Sequence, residues 1–376
     1  MRGLAIAAVA LTSALALSAC AKDTGGGNTG GAAQGGQPCK TVEKPQAAAG
    51  TSTTTESEEK VDASALKVGL AFDIGGRGDA SFNDAAAAGL DRAQAEMGLP
   101  KPTELTAAPQ EPEDAKQTRL RQLARDGHNP IIAVGFAYAE ALKVVAPEFP
   151  DTQFAIVDAT VEGAPNVTPL VFAEEQGSFL VGVAAAYKSK NCHIGFIGGV
   201  ETPLIAKFEA GFVQGAKAAA PDIKIEKKYL TPAGDFTGFQ DPNKGNEAAR
   251  GMIESGADVL YHAAGASGKG VFTAAKAAGV QAIGVDSDQY NQKTVENERD
   301  VIITSMLKRV DVAVYDYVKA VAKNDLASLP KVFDLSVDGV GYSTSGGKID
   351  DIKDVLEAYK AQIISGQIKV SDQPVS

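Results

Sequence analysis

From Lys67 onward, segments patterned as buried strands alternate with helical segments almost without interruption, and that grammar restricts the chain to βαβ units wound on parallel sheets. Residues 67–72, 130–135 and 153–158 read as strands, with helical patterns starting near Ser81, Glu113 and Tyr138. Gly98, Gly127 and Pro147 supply the stops. Ser81 followed by Asp84 reads as a capping-box variant. Residues 168–173 are an extended crossing segment, after which the same grammar restarts with a helix at 177–188, a strand at 193–198 and a helix capped by Thr202 and opened by Pro203. Strands at 223–229, 258–263 and 281–285 interleave with helices at 243–254 and 270–278. Residues 301–304 are extended again, a helix is expected from Met306 to about Val321, and a last helix from Asp350 to Ser365 follows the extended stretch 332–341. Two similar α/β halves with three crossings between them predict a hinged, bilobal molecule, the alternative being two independent domains. The expected lobes are 66–170 plus about 301–325, and 171–290 plus about 332–376.

The N-terminus speaks to compartment. Arg2 precedes an apolar stretch from Leu4 to Leu17, of signal-peptide length and too short to span a membrane comfortably. It ends in Leu17-Ser18-Ala19-Cys20, which looks like a bacterial lipobox. Residues 1–19 are therefore expected to be a signal peptide and Cys20 the lipidated N-terminus of an exported, membrane-tethered protein; an ordinary secretory signal is the alternative. Residues 20–65 carry almost no large apolar side chain and read as the anchor and a disordered linker. Cys39 lies in that linker, and in an oxidising compartment it can pair with Cys192; two free thiols are the other option. The net charge of −11 argues against nucleic acid or anionic lipid surfaces as partners. Three histidines and three cysteines offer no metal cluster, and no metal or other cofactor is expected.

Parallel sheets bind ligands beyond the carboxyl ends of their strands. The first such turn, Asp73 to Asn83, carries carboxylates, an amide and the Phe82 ring where a phosphate loop would carry glycines. Gly76 to Ser81 lacks the third glycine of a dinucleotide turn, and Gly265 to Gly270 lacks the Ser or Thr that would follow a P-loop lysine. Dinucleotides and nucleoside triphosphates are thereby set aside. The remaining strand ends present Gly135 with Phe136, Asp158, Gly198 with Gly199, Gly265 and Asp286. Asp286 is the strongest single candidate, since a strand-terminal carboxylate can accept from two vicinal hydroxyls at once. No catalytic dyad is visible, which argues against an enzyme such as a nucleoside hydrolase.

Five motifs, Asp73 to Asn83, Gly195 to Gly199, Ile205 to Gly215, Gly284 to Gln289 and Thr304 to Lys308, resemble in order and spacing those of the basic membrane protein family. The resemblance covers nearly all of residues 66–323. It implies a periplasmic-binding-protein type I fold of two Rossmann-like lobes and the role of a lipid-anchored binding component of an ABC importer, in a family whose characterised branch takes up purine nucleosides. It further implies that Phe82 and Phe208 stack on the base and that Asp73 is the family's strand-end acid. Phe208 has an alternative as a core residue sharing a helix face with Phe212. Lys308, on a helix starting at a crossing, is expected to donate to the ribose or to Asp286. Glu140 stands near the place of an aspartate that reads the base edge in the family, one methylene longer. The full expected ligand set is Asp73, Phe82, Asn83, Phe136, Glu140, Phe208, Gly265, Asp286 and Lys308. The expected partners of the monomeric chain are a nucleoside, permease subunits and the membrane through its anchor, with a sugar or autoinducer-type ligand as the alternative.

Overall fold

The computed structural model describes residues 37–45 and 61–374; the expected signal segment and Cys20 lie outside them. Strands β1 (Gly69–Phe72), β2 (Thr103–Thr106), β3 (Ile131–Ala133), β4 (Phe154–Val157) and β5 (Val167–Leu170) form a wholly parallel sheet in the order β2-β1-β3-β4-β5. Helices α1 (Phe82–Met97), α2 (Glu113–Arg125) and α3 (Ala139–Val145) connect them. Leu70, Ala71 and Phe72 are all buried because helices cover both faces of the sheet.

After α4 (Glu174–Lys188) the second sheet is built from β6 (His193–Val200), β7 (Lys224–Thr231), β8 (Val259–Ala263), β9 (Gln281–Asp286) and β10 (Ile302–Lys308), and it repeats the first sheet's order. An antiparallel strand, β11 (Val340–Tyr342), is added at its far edge. Its helices are α5 (Pro203–Ala219), α6 (Pro242–Glu254) and α7 (Gly268–Ala278), with α9 (Lys353–Ile364) closing the chain. The edge strand β7 exposes Lys224, Lys227 and Lys228, charges that discourage pairing with another chain.

Three crossings join the lobes. Residues 171–173 lead from β5 to α4, Arg309 leads from β10 to α8 (Val310–Ala322), and residues 323–339 return from α8 to β11. The first and third lie side by side, with Phe333 N donating to Val171 O at 2.8 Å and Ala173 N to Phe333 O at 3.1 Å. The segment expected in the first lobe at 301–325 is divided. Residues 302–308 pair with β9 in the second sheet, while α8 packs on α1, where a Cβ on Gly89 would stand 2.5 Å from Asp311 O. The helix therefore begins at Val310 rather than Met306, because Ile302, Ile303, Thr304, Ser305 and Met306 form a continuously buried run inside the second sheet.

Part of the expected linker is fastened. Cys39 and Cys192 form a disulfide, Val42 N donates to Ala219 O at 2.8 Å, and Lys44 pairs with Asp354 at 3.4 Å. Residues 37–45 thus lie along the second lobe at the end where α4 and α5 finish and β6 begins. Ala63 is buried and its N–H bonds Met97 O, so the first lobe starts before residue 66.

Candidate ligand-binding cleft

The carboxyl ends of both sheets face one cleft, and the repeated strand order brings matched residues to it. After the third strand of each sheet comes a glycine of positive φ, Gly135 at +104° and Gly265 at +53°, starting a short 3₁₀ turn. After the fourth comes an aspartate in the left-handed region, Asp158 at +69° and Asp286 at +63°. A non-glycine residue held there costs on the order of 1 kcal/mol, and such strain concentrates where a side chain must be aimed. Gly135 has a further reason, since a Cβ would meet Asp73 Oδ2 at 2.7 Å.

Asp73, Phe82, Asn83, Phe136, Phe208, Gly265, Asp286 and Lys308 all line the cleft, whose free volume is about 90 Å³. Phe208 is 2% exposed and belongs to the core as well as to the cleft wall. Glu140 does not line it and is exposed. The cause is helical phase: Tyr138 points under the sheet, its hydroxyl donating to Phe72 O at 2.9 Å, and two residues further the helix has turned roughly 200° toward solvent.

The first turn is locked by its own side chains. Asn83 Oδ1 accepts from Asp73 N at 3.1 Å, and its amide donates to Ile74 O and to Asp79 Oδ2. Asp79 also accepts from the backbone N–H of Ser81, Asn83 and Asp84, doing for α1 what the capping box assigned to Ser81. Ser81 is engaged elsewhere: its hydroxyl reaches across to the other lobe and donates to Asp286 Oδ2 at 2.6 Å. Ser287 Oγ donates to Ser81 O at 2.8 Å and Gln289 Nε2 to Ala80 O at 3.1 Å, so the lobes are drawn together around residues 80–81.

Lys308 lies at the centre. It is on β10 rather than a helix, and Nζ donates to Asp158 Oδ2 at 2.6 Å, with Glu174 Oε1 at 3.8 Å. Asp158, not Asp286, is thus its hydrogen-bond partner. The same ammonium stands 4.7 Å from the centroid of Phe82 and 5.5 Å from those of Phe172 and Phe208. Burial alone would lower the Lys308 pKa, but the carboxylates of Asp158, Asp286 and Glu174 together raise it, keeping it charged. Burial raises Asp286 and Glu174 against the opposing pull of Lys308. Asp73 and Asp79 are each pushed up to about 6, mainly by burial. Asp158 Oδ1 is buried without a hydrogen-bond partner, a condition that favours a donor from a bound molecule.

Sequence reasoning missed the loop after β7. Phe236, Phe239 and Gln240 line the cleft, and the Phe236 ring meets Phe136 of the other lobe at 5.7 Å. The loop has no periodic pattern and no strand end to mark it; the lone signal was two aromatic residues three apart in a polar stretch.

Residues 66–374 match the family model described as ABC transporter substrate-binding protein PnrA-like (Bmp). The chain belongs to that family. It is accordingly an ABC transporter substrate-binding protein rather than an enzyme, and its partners by family are a small-molecule ligand and permease subunits. It is 36% identical over 323 residues to the CD4+ T-cell-stimulating antigen of Listeria monocytogenes, covering 82% of this chain and 88% of that protein. It is 33% identical over 344 residues to the ABC transporter nucleoside-binding protein BmpA of Lactococcus lactis, covering 84% and 91%. Among solved structures, an ABC transporter solute-binding protein of Aeropyrum pernix superposes with a TM-score of 0.67 at 28% identity, covering 81% of this chain and 92% of that one. The periplasmic-binding-protein type I fold is shared with such neighbours.

Proposed function

We propose that the chain binds a nucleoside, of purine type, between its two lobes and presents it to an ABC permease. The observation that carries this reading is the composition of the cleft wall: two aromatic rings, Phe82 and Phe208, flank a cation, while left-handed strand-end acids enter from opposite lobes. Rings suit a planar base at roughly 1–3 kcal/mol per stacked base, and acids suit hydroxyls. The lactococcal relative named as nucleoside-binding supports the same class. Asp286, Asp158 and Lys308 would hold one end of the ligand, with Asp73 and the turn that Asn83 locks facing the other. In this reading Cys20 carries the lipid and the monomer works on the extracytoplasmic face of the cell membrane.

A calorimetric screen over nucleosides, free bases and free pentoses tests it. Purine nucleosides are expected to bind more tightly than either fragment, because only they reach both ring and acid sites. Binding confined to pentoses or other sugars would replace this reading by the sugar-binding alternative. Asp286→Ala should weaken nucleoside binding by several kcal/mol, since it removes a charged acceptor and the Ser81 contact together.

A further inference from the structure

The cleft does not end at Asp73. A second chamber of about 450 Å³ adjoins it, sharing Asp73, Ile74, Phe236 and Gln240 as common walls. It is five times as large as the free space of the cleft itself and opens to solvent past the exposed Ala108, Pro109, Gln110 and Gly234. Its remaining walls come from both lobes: the segment after β2 and the start of α2 on one side, the loop after β7 on the other. The charged side chains around it already have partners. Lys116 bonds Glu113 at 3.0 Å, Glu111 and Arg119 form a pair at 2.6 Å, and Asp235 accepts from both the N–H and the hydroxyl of Thr237. Gln110, Gln240, the Phe236 ring and two small residues, Ala108 and, after β3, Ala137, share the lining.

We infer that this chamber is an extension subsite: the cleft admits nucleosides that carry an uncharged, partly polar substituent on the end lying against Asp73, and the substituent occupies the second chamber. The inference rests on the nucleoside reading above. A phosphate is not the fitting occupant, because it would meet the carboxylates of Asp73, Glu111 and Asp235 while Lys116 is held by Glu113. An alkyl, hydroxyalkyl or benzyl group meets amides and an aromatic face instead.

Calorimetry with adenosine, an N6-hydroxyalkyl or N6-benzyl adenosine, a 5′-O-alkyl adenosine and adenosine 5′-monophosphate tests it in the wild type and in two variants, Ala137→Phe and Ala108→Trp, each enlarging a residue that lines the second chamber and not the cleft. One neutral extended nucleoside, N6- or 5′-substituted according to which end lies at Asp73, is expected to bind the wild type within about threefold of adenosine, and the monophosphate at least tenfold more weakly. In the filled variants that extended ligand should lose about tenfold or more while adenosine changes by no more than about twofold. The inference is overturned if neither extended nucleoside binds while adenosine does, if the filled variants weaken parent and extended ligands alike, or if the monophosphate binds as well as the neutral ligands. Failure of adenosine itself and of other nucleosides to bind would instead remove the nucleoside reading.

Discussion

Single side chains in the cleft answer to charge. Lys308 sits in one lobe and its partner Asp158 in the other, so breaking the pair does not force a lone charge to stay buried; the lobes can part and hydrate it. Lys308→Met is therefore expected to enlarge the radius of gyration of the ligand-free protein, read by small-angle scattering, while its melting temperature moves little. Acid has the opposite effect. Asp73 and Asp79 are raised from 3.8 to about 6, so the folded state binds protons more tightly than the unfolded chain, and their stabilising contribution is full below 3.8 and lost as pH rises through 6. From these two groups, melting temperature should rise as pH falls from 7 to 5, and Asp73→Asn should flatten that slope; an unchanged slope would show that Asp73 ionises freely in the folded protein. The strand-end acids were legible in the sequence because a strand's end and the residue after it are local facts. Glu140 was not, because the direction it faces depends on where Tyr138 docks.

Among the elements, α4 and α5 pack backbone against backbone. On α5, a Cβ at Gly211 would stand 2.0 Å from Glu175 O and one at Gly215 1.9 Å from Phe179 O, while Gly182 on α4 faces Phe212 O at 2.2 Å. Backbone cannot yield as a flexible side-chain tip does, so Gly215→Ala is expected to cost about 1–3 kcal/mol, seen as a lower denaturation midpoint with unchanged slope. Since α5 also carries Phe208, ligand affinity should fall with it. The helix and strand grammar was readable because period and caps are written in consecutive residues: α2 ends within a residue of expectation and Thr202 caps α5, accepting from Ile205 N at 3.3 Å. Residues 302–308 were harder, as a short apolar run suits a buried strand and a helix start equally.

On the scale of the whole molecule, closure rests on the Lys308–Asp158 pair, a few polar contacts at residues 80–81 and one aromatic pair at the mouth. Each hydrogen bond is worth about 1 kcal/mol net. Ser287 lies outside the cleft wall, and Ser287→Ala should weaken ligand binding by about fivefold solely by lowering the closed population, because apparent affinity scales with the competent fraction. Unchanged affinity in this variant would show that closure is not what Ser287 controls. Such cross-lobe partners, Ser81 with Asp286 or Phe136 with Phe236, are 205 and 100 residues apart; no local pattern announces them.

The disulfide between Cys39 and Cys192 gives the molecule a mechanical polarity. A pull delivered along the chain at residue 39 passes through sulfur directly into the base of the second lobe, at the end of its sheet away from the cleft, and bypasses the hinge. The first lobe then carries none of the load and swings freely. Reduction would leave that tension to the Val42–Ala219 hydrogen bond and the Lys44–Asp354 pair, and once these gave way it would pass on into the first lobe and across all three crossings, turning a drag on the protein into a torque on its opening.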